Sequence, residues 1–177
     1  MKNRDGMAVL IILAGAFLVG AIAGNWAIIA ADPVPLAANL VGEPVQSSFF
    51  GNLLAYLIWP ILIFLAGLSI IGVVAVPLMM AIKAFSVAYS VSATLCVFGV
   101  SGALVAFLTI GIANLIYIPA LLIVSSVSVK SSIALKNGNT SPKLIPAYCV
   151  PFAICLPVFL VVAAAQTWLR PLIQNRF

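Results

Sequence analysis

Residues 51–82 read GNLLAYLIWPILIFLAGLSIIGVVAVPLMMAI and contain no charged side chain. Lys83 follows directly, and it is the only charged residue between Glu43 and Lys130. A soluble domain cannot bury so much continuous apolar sequence, whereas a transmembrane helix needs about 20 mostly apolar residues. Hydrophobic residues make up 65% of the chain and charged residues only 6%. The sequence therefore predicts an all-α, polytopic transmembrane helical bundle.

Short polar stretches divide the apolar sequence into spans. We expect one integral membrane domain over residues 1–177, with spans at about 7–31, 52–71, 74–95, 98–129 and 146–168. The segment 98–129 is long for a single crossing and contains Asn114 and Pro119. We expect this central segment to be broken near 114–119 or to re-enter the membrane. The count is therefore five to six spans, and the distribution of lysine and arginine favours five.

The basic residues that flank the apolar segments are Lys2, Arg4, Lys130, Lys136, Lys143, Arg170 and Arg176. Lysine and arginine concentrate in the cytoplasmic loops of membrane proteins. The pattern predicts a multi-pass protein of the cell membrane, surrounded by membrane lipid, with a cytoplasmic N-terminus. The net charge is +5, but the basic residues do not form a contiguous patch, so nucleic acid is not expected as a partner. The proline-containing loop at 32–50 is the largest expected surface outside the membrane.

Chemically reactive side chains are scarce in this sequence. The chain has no histidine, and its three cysteines lie inside apolar runs without a CxxC pair. Metal and haem sites need clustered histidine or cysteine ligands, and covalent catalysis needs a nucleophile beside a base. We therefore expect no metal, no cofactor and no enzymatic activity.

Two polar residues inside apolar segments are the candidates for function. An ammonium at the centre of a span costs about 2.5–3.5 kcal/mol on insertion scales, so Lys83 either makes a buried contact or extends its long side chain to the membrane surface. A helix C-terminus, Asn114 or an acidic residue of a partner protein would supply such a contact. Asn114 also needs a partner for its amide, and Pro119 indicates a nearby backbone break that this amide would satisfy.

Four glycines are candidates for close helix contacts. Gly20 and Gly24 are spaced by four residues, and small residues at this spacing let helix backbones approach each other. Gly67 and Gly72 flank the break between the second and third spans. Each pair belongs either to packing within the bundle or to a face that contacts partners, and homo- or hetero-oligomers are left open.

The central region carries a family resemblance. It reads GLSIIG at 67–72, PL at 77–78, KAFSVAY at 83–89 and NLIYIPA at 114–120, followed by a serine-rich segment. In order and spacing these segments resemble the stage II sporulation protein M family over residues 50–132. Ala84 and Ala88 stand where that family favours glycine.

The resemblance implies a non-catalytic membrane scaffold. Members of the family act in engulfment during endospore formation, where they join and localise membrane-anchored peptidoglycan hydrolases. An alternative is a small membrane subunit of a transporter that works with a cytoplasmic ATPase, with Lys83 and Asn114 lining its site. Replacement of Lys83 by leucine distinguishes the scaffold from the transporter. A scaffold is expected to tolerate the substitution if it still binds its partners, whereas a transporter is expected to lose uptake.

Overall fold

A computed structural model describes residues 2–30, 49–138 and 144–174 of the chain, and these residues are almost entirely helical. The helices within them are α1 (Lys2–Ala30), α2 (Phe49–Gly67), α3 (Gly72–Ala106), α4 (Ile112–Lys136) and α5 (Leu144–Gln174), with a π-helical segment at Phe107–Gly111 between α3 and α4. No strand occurs in the part of the chain that is described. The predicted all-α helical membrane bundle is therefore confirmed.

Four of the described helices are long and apolar enough to cross a membrane. Their spanning portions are Gly6–Ala30, Gly72–Cys96, Ile112–Lys136 and Tyr148–Thr167, and α2 contains a shorter apolar stretch, Leu53–Gly67. Large apolar side chains cover the outside of the bundle, as Ile22, Trp26 and Ile29 of α1 illustrate. Such a surface suits contact with lipid tails, which have no polar groups to offer.

Contacts between helices show the direction in which each one runs. Gly20 and Gly24 of α1 lie against Ala81 and Phe85 of α3, so α1 and α3 are parallel. Tyr117 and Ser132 of α4 bond to Tyr56 and Gly67 of α2, so α2 and α4 are parallel, and the turn at residues 68–71 reverses the chain between α2 and α3. Successive described helices therefore alternate in direction.

The last pair follows the same rule. The ring of Tyr117 contacts Phe159, and Ser128 contacts Tyr148, so α4 and α5 are antiparallel. The N-terminal end of the bundle is defined here as the end that holds Gly6, Lys130 and Tyr148. The C-terminal half of α5 runs towards the opposite end.

A tight turn at residues 68–71 joins α2 to α3. The backbone N–H groups of Leu68 and Ser69 donate to the carbonyls of Leu65 and Ala66, and the Ser69 hydroxyl accepts a bond from the N–H of Ile71 at 3.3 Å. These bonds satisfy backbone groups that the end of a helix leaves free. Pro77 lies inside α3, after this turn.

The interruption of the central segment differs from the predicted one. Because α3 and α4 run in opposite directions, the chain reverses between them, and Gly99 inside α3 has φ 58° and ψ −138°. Glycine adopts a positive φ without a steric penalty, whereas other residues do so rarely. The predicted break at 114–119 is instead continuous helix, since α4 contains both Asn114 and Pro119. Pro119 is exposed on the outside of α4.

The core lies between α2, α4 and α5, with α1 and α3 closing one side. Its largest fully buried side chains include Tyr117, Phe159, Leu13, Ile63 and Met80, which come from all five helices. Residues 32–48 of the predicted external loop 32–50, and Lys143, lie outside the described residues.

Candidate functional site

Lys83 lies among three aromatic rings, and these four residues are called the Lys83 cluster. Its ammonium nitrogen is 5.9 Å from the centroid of the Tyr56 ring, 5.8 Å from that of Trp59 and 5.2 Å from that of Tyr117. A cation within about 6 Å of a ring centroid is attracted by the negative face of the ring. Helices α2, α3 and α4 therefore each contribute to one cation–π cluster.

The cluster is deep within the hydrophobic part of the bundle. At a rise of about 1.5 Å per residue, Lys83 is about 16 Å along α3 from Gly72, which is near the middle of a hydrocarbon layer roughly 30 Å thick. The ammonium points at the rings at this depth. The sequence named a helix C-terminus, Asn114 or an acid as the contact of Lys83, and the neighbours that the structure describes are instead three aromatic rings.

No carboxylate accompanies Lys83 among the described side chains. The acidic residues of the chain are Asp5, Asp32 and Glu43, and all three side chains fall outside that description. Within the described residues, the neighbours of the ammonium are the electron-rich faces of the three rings, which attract a cation.

Tyr117 anchors the floor of the Lys83 cluster. It is fully buried, its hydroxyl donates to the backbone carbonyl of Tyr56 at 3.0 Å, and its ring meets the edges of the Tyr56 and Phe159 rings at 5.4 Å and 5.2 Å. Edge-to-face pairs at these distances are favourable. Because Tyr117 is held from both sides, the ring that lies closest to the ammonium has a set position.

Asn114 bonds to its own helix and not to Lys83. Its amide nitrogen donates to the carbonyl of Ile110 at 2.8 Å, in the π-helical segment, where the ladder of backbone bonds is irregular. Its side-chain oxygen is buried and has no hydrogen-bond partner in the described structure. Pro119 is exposed on the outside of α4 and takes no part in the Lys83 cluster.

Gly20 and Gly24 form the contact between α1 and α3. A Cβ atom on Gly20 would overlap the carbonyl oxygen of Ala81, and one on Gly24 would overlap that of Phe85. Further along, the Ser92 hydroxyl donates to the side-chain oxygen of Asn25 at 2.8 Å. The two backbones therefore touch directly, as small residues at four-residue spacing allow.

Gly67 and Gly72 lie in a second close contact, near the N-terminal end of the bundle. A Cβ on Gly67 would overlap the hydroxyl of Tyr148, and one on Gly72 would overlap the hydroxyl of Ser132. Ser132 also donates to the carbonyl of Gly67 at 3.3 Å. These glycines leave the space that polar side chains of α4 and α5 occupy.

Tyr148 is the residue of this region that the sequence did not indicate. Its hydroxyl donates to the carbonyl of Phe64 and contacts the Ser128 hydroxyl at 3.2 Å, and its ring stacks on Phe64 at 4.7 Å. The serine-rich stretch of α4 was a signal that a polar partner is needed, but nothing in the sequence placed α5 beside it. Helices α2, α4 and α5 are joined here by one hydrogen-bonded chain.

Tyr148→Phe is expected to lower the stability of the bundle by about 1–2 kcal/mol, because it removes two hydrogen bonds and keeps the ring. Thermal unfolding of the purified protein in detergent measures this change. Tyr89→Phe is the matched control, since no hydrogen bond of the Tyr89 hydroxyl to a described residue is seen. Equal stability of the two variants would contradict a structural role for the Tyr148 hydroxyl.

Together these features define a class of protein, the polytopic α-helical membrane proteins whose internal polar groups join helices. Within the described residues, no group of three or more His, Cys, Asp or Glu residues is arranged to hold a metal ion. The family model for stage II sporulation protein M matches residues 8–166. The chain therefore belongs to the stage II sporulation protein M family. No match is found among curated proteins or among solved structures.

Proposed function

We propose that the protein is a non-catalytic membrane scaffold that organises peptidoglycan-remodelling membrane proteins, during engulfment or a related remodelling of the cell envelope. Family membership supports the general role. The observation that carries the proposal is how the bundle uses its polar groups. Tyr117, Ser132 and Tyr148 all donate to backbone carbonyls of α2. These groups hold helices together, as a rigid platform requires.

The surfaces available to partners are the outward faces of the helices and the segment between α1 and α2. Ile22, Trp26 and Ile29 of α1 are exposed on a helix that packs chiefly through its glycine face. Gly20, Gly24, Gly67 and Gly72 are themselves buried by contacts within the chain. The proposal therefore assigns these glycines to packing and assigns partner contact to the outward faces and to residues 31–48.

We propose also that the N-terminal end of the bundle faces the cytoplasm. Lys130 lies beside Gly6 there, and Lys136 is in the last turn of α4 at the same end, as the positive-inside rule favours. Alkaline phosphatase, which is active only outside the cytoplasm, is expected to be active when fused after residue 174 and inactive when fused after residue 138. The reverse pattern would overturn this orientation.

A transport role remains the alternative, and Lys83 is the observation that favours it, since an ionisable residue at this depth often marks a substrate pathway. Two contacts weigh against it. The amide of Asn114 is bonded to Ile110, and Tyr117 fills the space beside Lys83 as a fully buried side chain.

The test is a pull-down of the tagged, crosslinked protein from detergent-solubilised membranes, with co-purifying proteins identified by mass spectrometry. Recovery of peptidoglycan hydrolases or other envelope-remodelling proteins is expected. An unrelated tagged multi-pass protein expressed at the same level is the control for non-specific capture. Recovery of an ATPase without any envelope enzyme would overturn the scaffold and favour transport.

A further inference from the structure

We infer that the Lys83 cluster is a docking site, within the membrane, for a helix of a different protein that carries an aspartate or glutamate in its membrane-spanning part. This inference rests on the proposed scaffold function and names the chemistry of one partner. It follows from the geometry of the cluster, from the face of α3 on which Lys83 lies, and from the distribution of acidic residues in the chain.

The cluster is open on one side. Tyr117 is fully buried and forms its floor, whereas Tyr56, Trp59 and Lys83 are each partly exposed. The rings of Tyr56 and Trp59 belong to α2 and the ammonium to α3, so the opening runs between these two helices. A helix that packs against α2 and α3 at this place would contact these three partly exposed side chains.

Helix α1 does not cover this opening. Ala81 and Phe85 of α3 are the residues that touch Gly20 and Gly24 of α1. Lys83 is two positions from each of them, and at 3.6 residues per turn two positions correspond to about 200° around the helix. Lys83 therefore lies on the side of α3 opposite to α1.

Charge complementarity identifies the occupant. The ammonium lies over three aromatic rings, and within the described residues these ring faces are the groups that balance its positive charge. A carboxylate in the same apolar layer interacts far more strongly with an ammonium than it would in water. Lipid phosphates lie at the membrane surfaces, away from a residue near the middle of the layer.

A second copy of the chain is not the source of this carboxylate. Asp5 is in the first turns of α1, and Asp32 and Glu43 both occur in the polar stretch between the first two apolar segments. None of the three is part of an apolar span. The partner is therefore another protein, whose membrane-spanning sequence supplies the acid.

The experiment compares the wild-type protein with Lys83→Leu in the crosslinked pull-down described above. The measured quantity is the amount recovered of each captured membrane protein that has Asp or Glu in its membrane-spanning sequence. This amount is expected to fall at least about tenfold with Lys83→Leu. Lys83→Arg, which keeps the charge, is expected to retain most of the recovery. Lys130→Leu is the matched control, because it removes an exposed lysine outside the cluster and is expected to change nothing.

Two further measurements distinguish docking from a role in stability. Thermal unfolding in detergent is expected to show no loss of stability for Lys83→Leu, because the lost cation–π contacts are offset by the removal of a charge from an apolar site. A drop in the unfolding temperature together with the loss of capture would overturn the docking role. Exchanging the charges, with Lys83→Asp in this protein and the acid of the partner changed to lysine, is expected to restore capture.

The outcomes separate the two proposals. Envelope proteins captured equally by the wild type and by Lys83→Leu would overturn the docking site and leave the scaffold standing. If the captured envelope proteins have no Asp or Glu in their membrane-spanning sequences, the docking site would likewise be overturned and the scaffold would stand. Capture of no envelope protein by the wild type would overturn both.

Discussion

Gly20→Ala is expected to push α1 away from α3 and to lower the stability of the bundle by about 2 kcal/mol or more, because the new methyl group meets backbone that cannot rotate aside. The added Cβ would overlap the carbonyl oxygen of Ala81 and lie 2.7 Å from the carbonyl carbon. Thermal unfolding in detergent measures the change in stability.

The separation of the helices is measured by crosslinking. Asn25 and Ser92 are hydrogen-bonded at 2.8 Å, so Asn25→Cys with Ser92→Cys, in a background without Cys96, Cys149 and Cys155, is expected to be linked by a short bifunctional thiol crosslinker. Adding Gly20→Ala is expected to slow this crosslinking. An unchanged rate would show that α1 and α3 adjust without separating.

Gly15→Ala is the matched control on the same helix. A Cβ on Gly15 has nothing within 4 Å, and alanine is favoured over glycine inside a helix by about 1 kcal/mol. This variant is therefore expected to be as stable as the wild type or slightly more stable. Destabilisation by Gly15→Ala as large as by Gly20→Ala would contradict the observed contact.

Gly67→Ala is the second change for which we expect a large effect, a loss of about 2 kcal/mol. The new methyl group would overlap the hydroxyl of Tyr148 and lie 2.8 Å from Cβ of Ser128. Relief of this overlap separates Tyr148 from Phe64 and Ser128, so the hydrogen bonds there are lost as well. Thermal unfolding in detergent measures the loss.

Gly51→Ala on the same helix is the control, since a Cβ there has nothing within 4 Å. A double variant tests the mechanism, because Tyr148→Phe removes the hydroxyl that Gly67→Ala would strike. The two changes are expected to destabilise the protein together by less than the sum of their separate effects, as residues in contact do. Strict additivity would mean that Gly67 and Tyr148 act independently.

The Lys83 cluster shows how far the sequence leads towards the candidate site. A lysine inside a long apolar segment is recognisable from the sequence as a candidate functional residue, because so few charged residues are tolerated there. Tyr56 and Trp59 lie in the α-helix that precedes the helix of Lys83, and Tyr117 lies in the α-helix that follows it. Their rings are ordinary apolar residues in the sequence, and only the packing of α2 and α4 against α3 brings them to the ammonium.

The central segment shows where the sequence misleads. Asn114 and Pro119 are the conspicuous residues, yet both lie within α4, whereas the backbone leaves helical geometry at Gly99. Proline removes one backbone donor, a deficit that a helix in a well-packed bundle accommodates. A backbone position with positive φ accepts few residues other than glycine. The presence of a glycine in an apolar segment does not, however, show which conformation it adopts.

The sequence by itself determined that this protein is a helical membrane bundle, because continuous apolar residues with so few charges can satisfy their backbone groups in lipid only as helices. It also determined the family, through the segments around Gly67, Lys83 and Asn114. The tertiary structure decided which glycines touch which backbones, that Tyr148 joins α2 to α4, and that Lys83 faces three rings on the side of α3 away from α1. Each of these contacts depends on how helices that are distant in the chain pack side by side. In lipid, helix packing is determined by van der Waals contact between the helices and by a few hydrogen bonds.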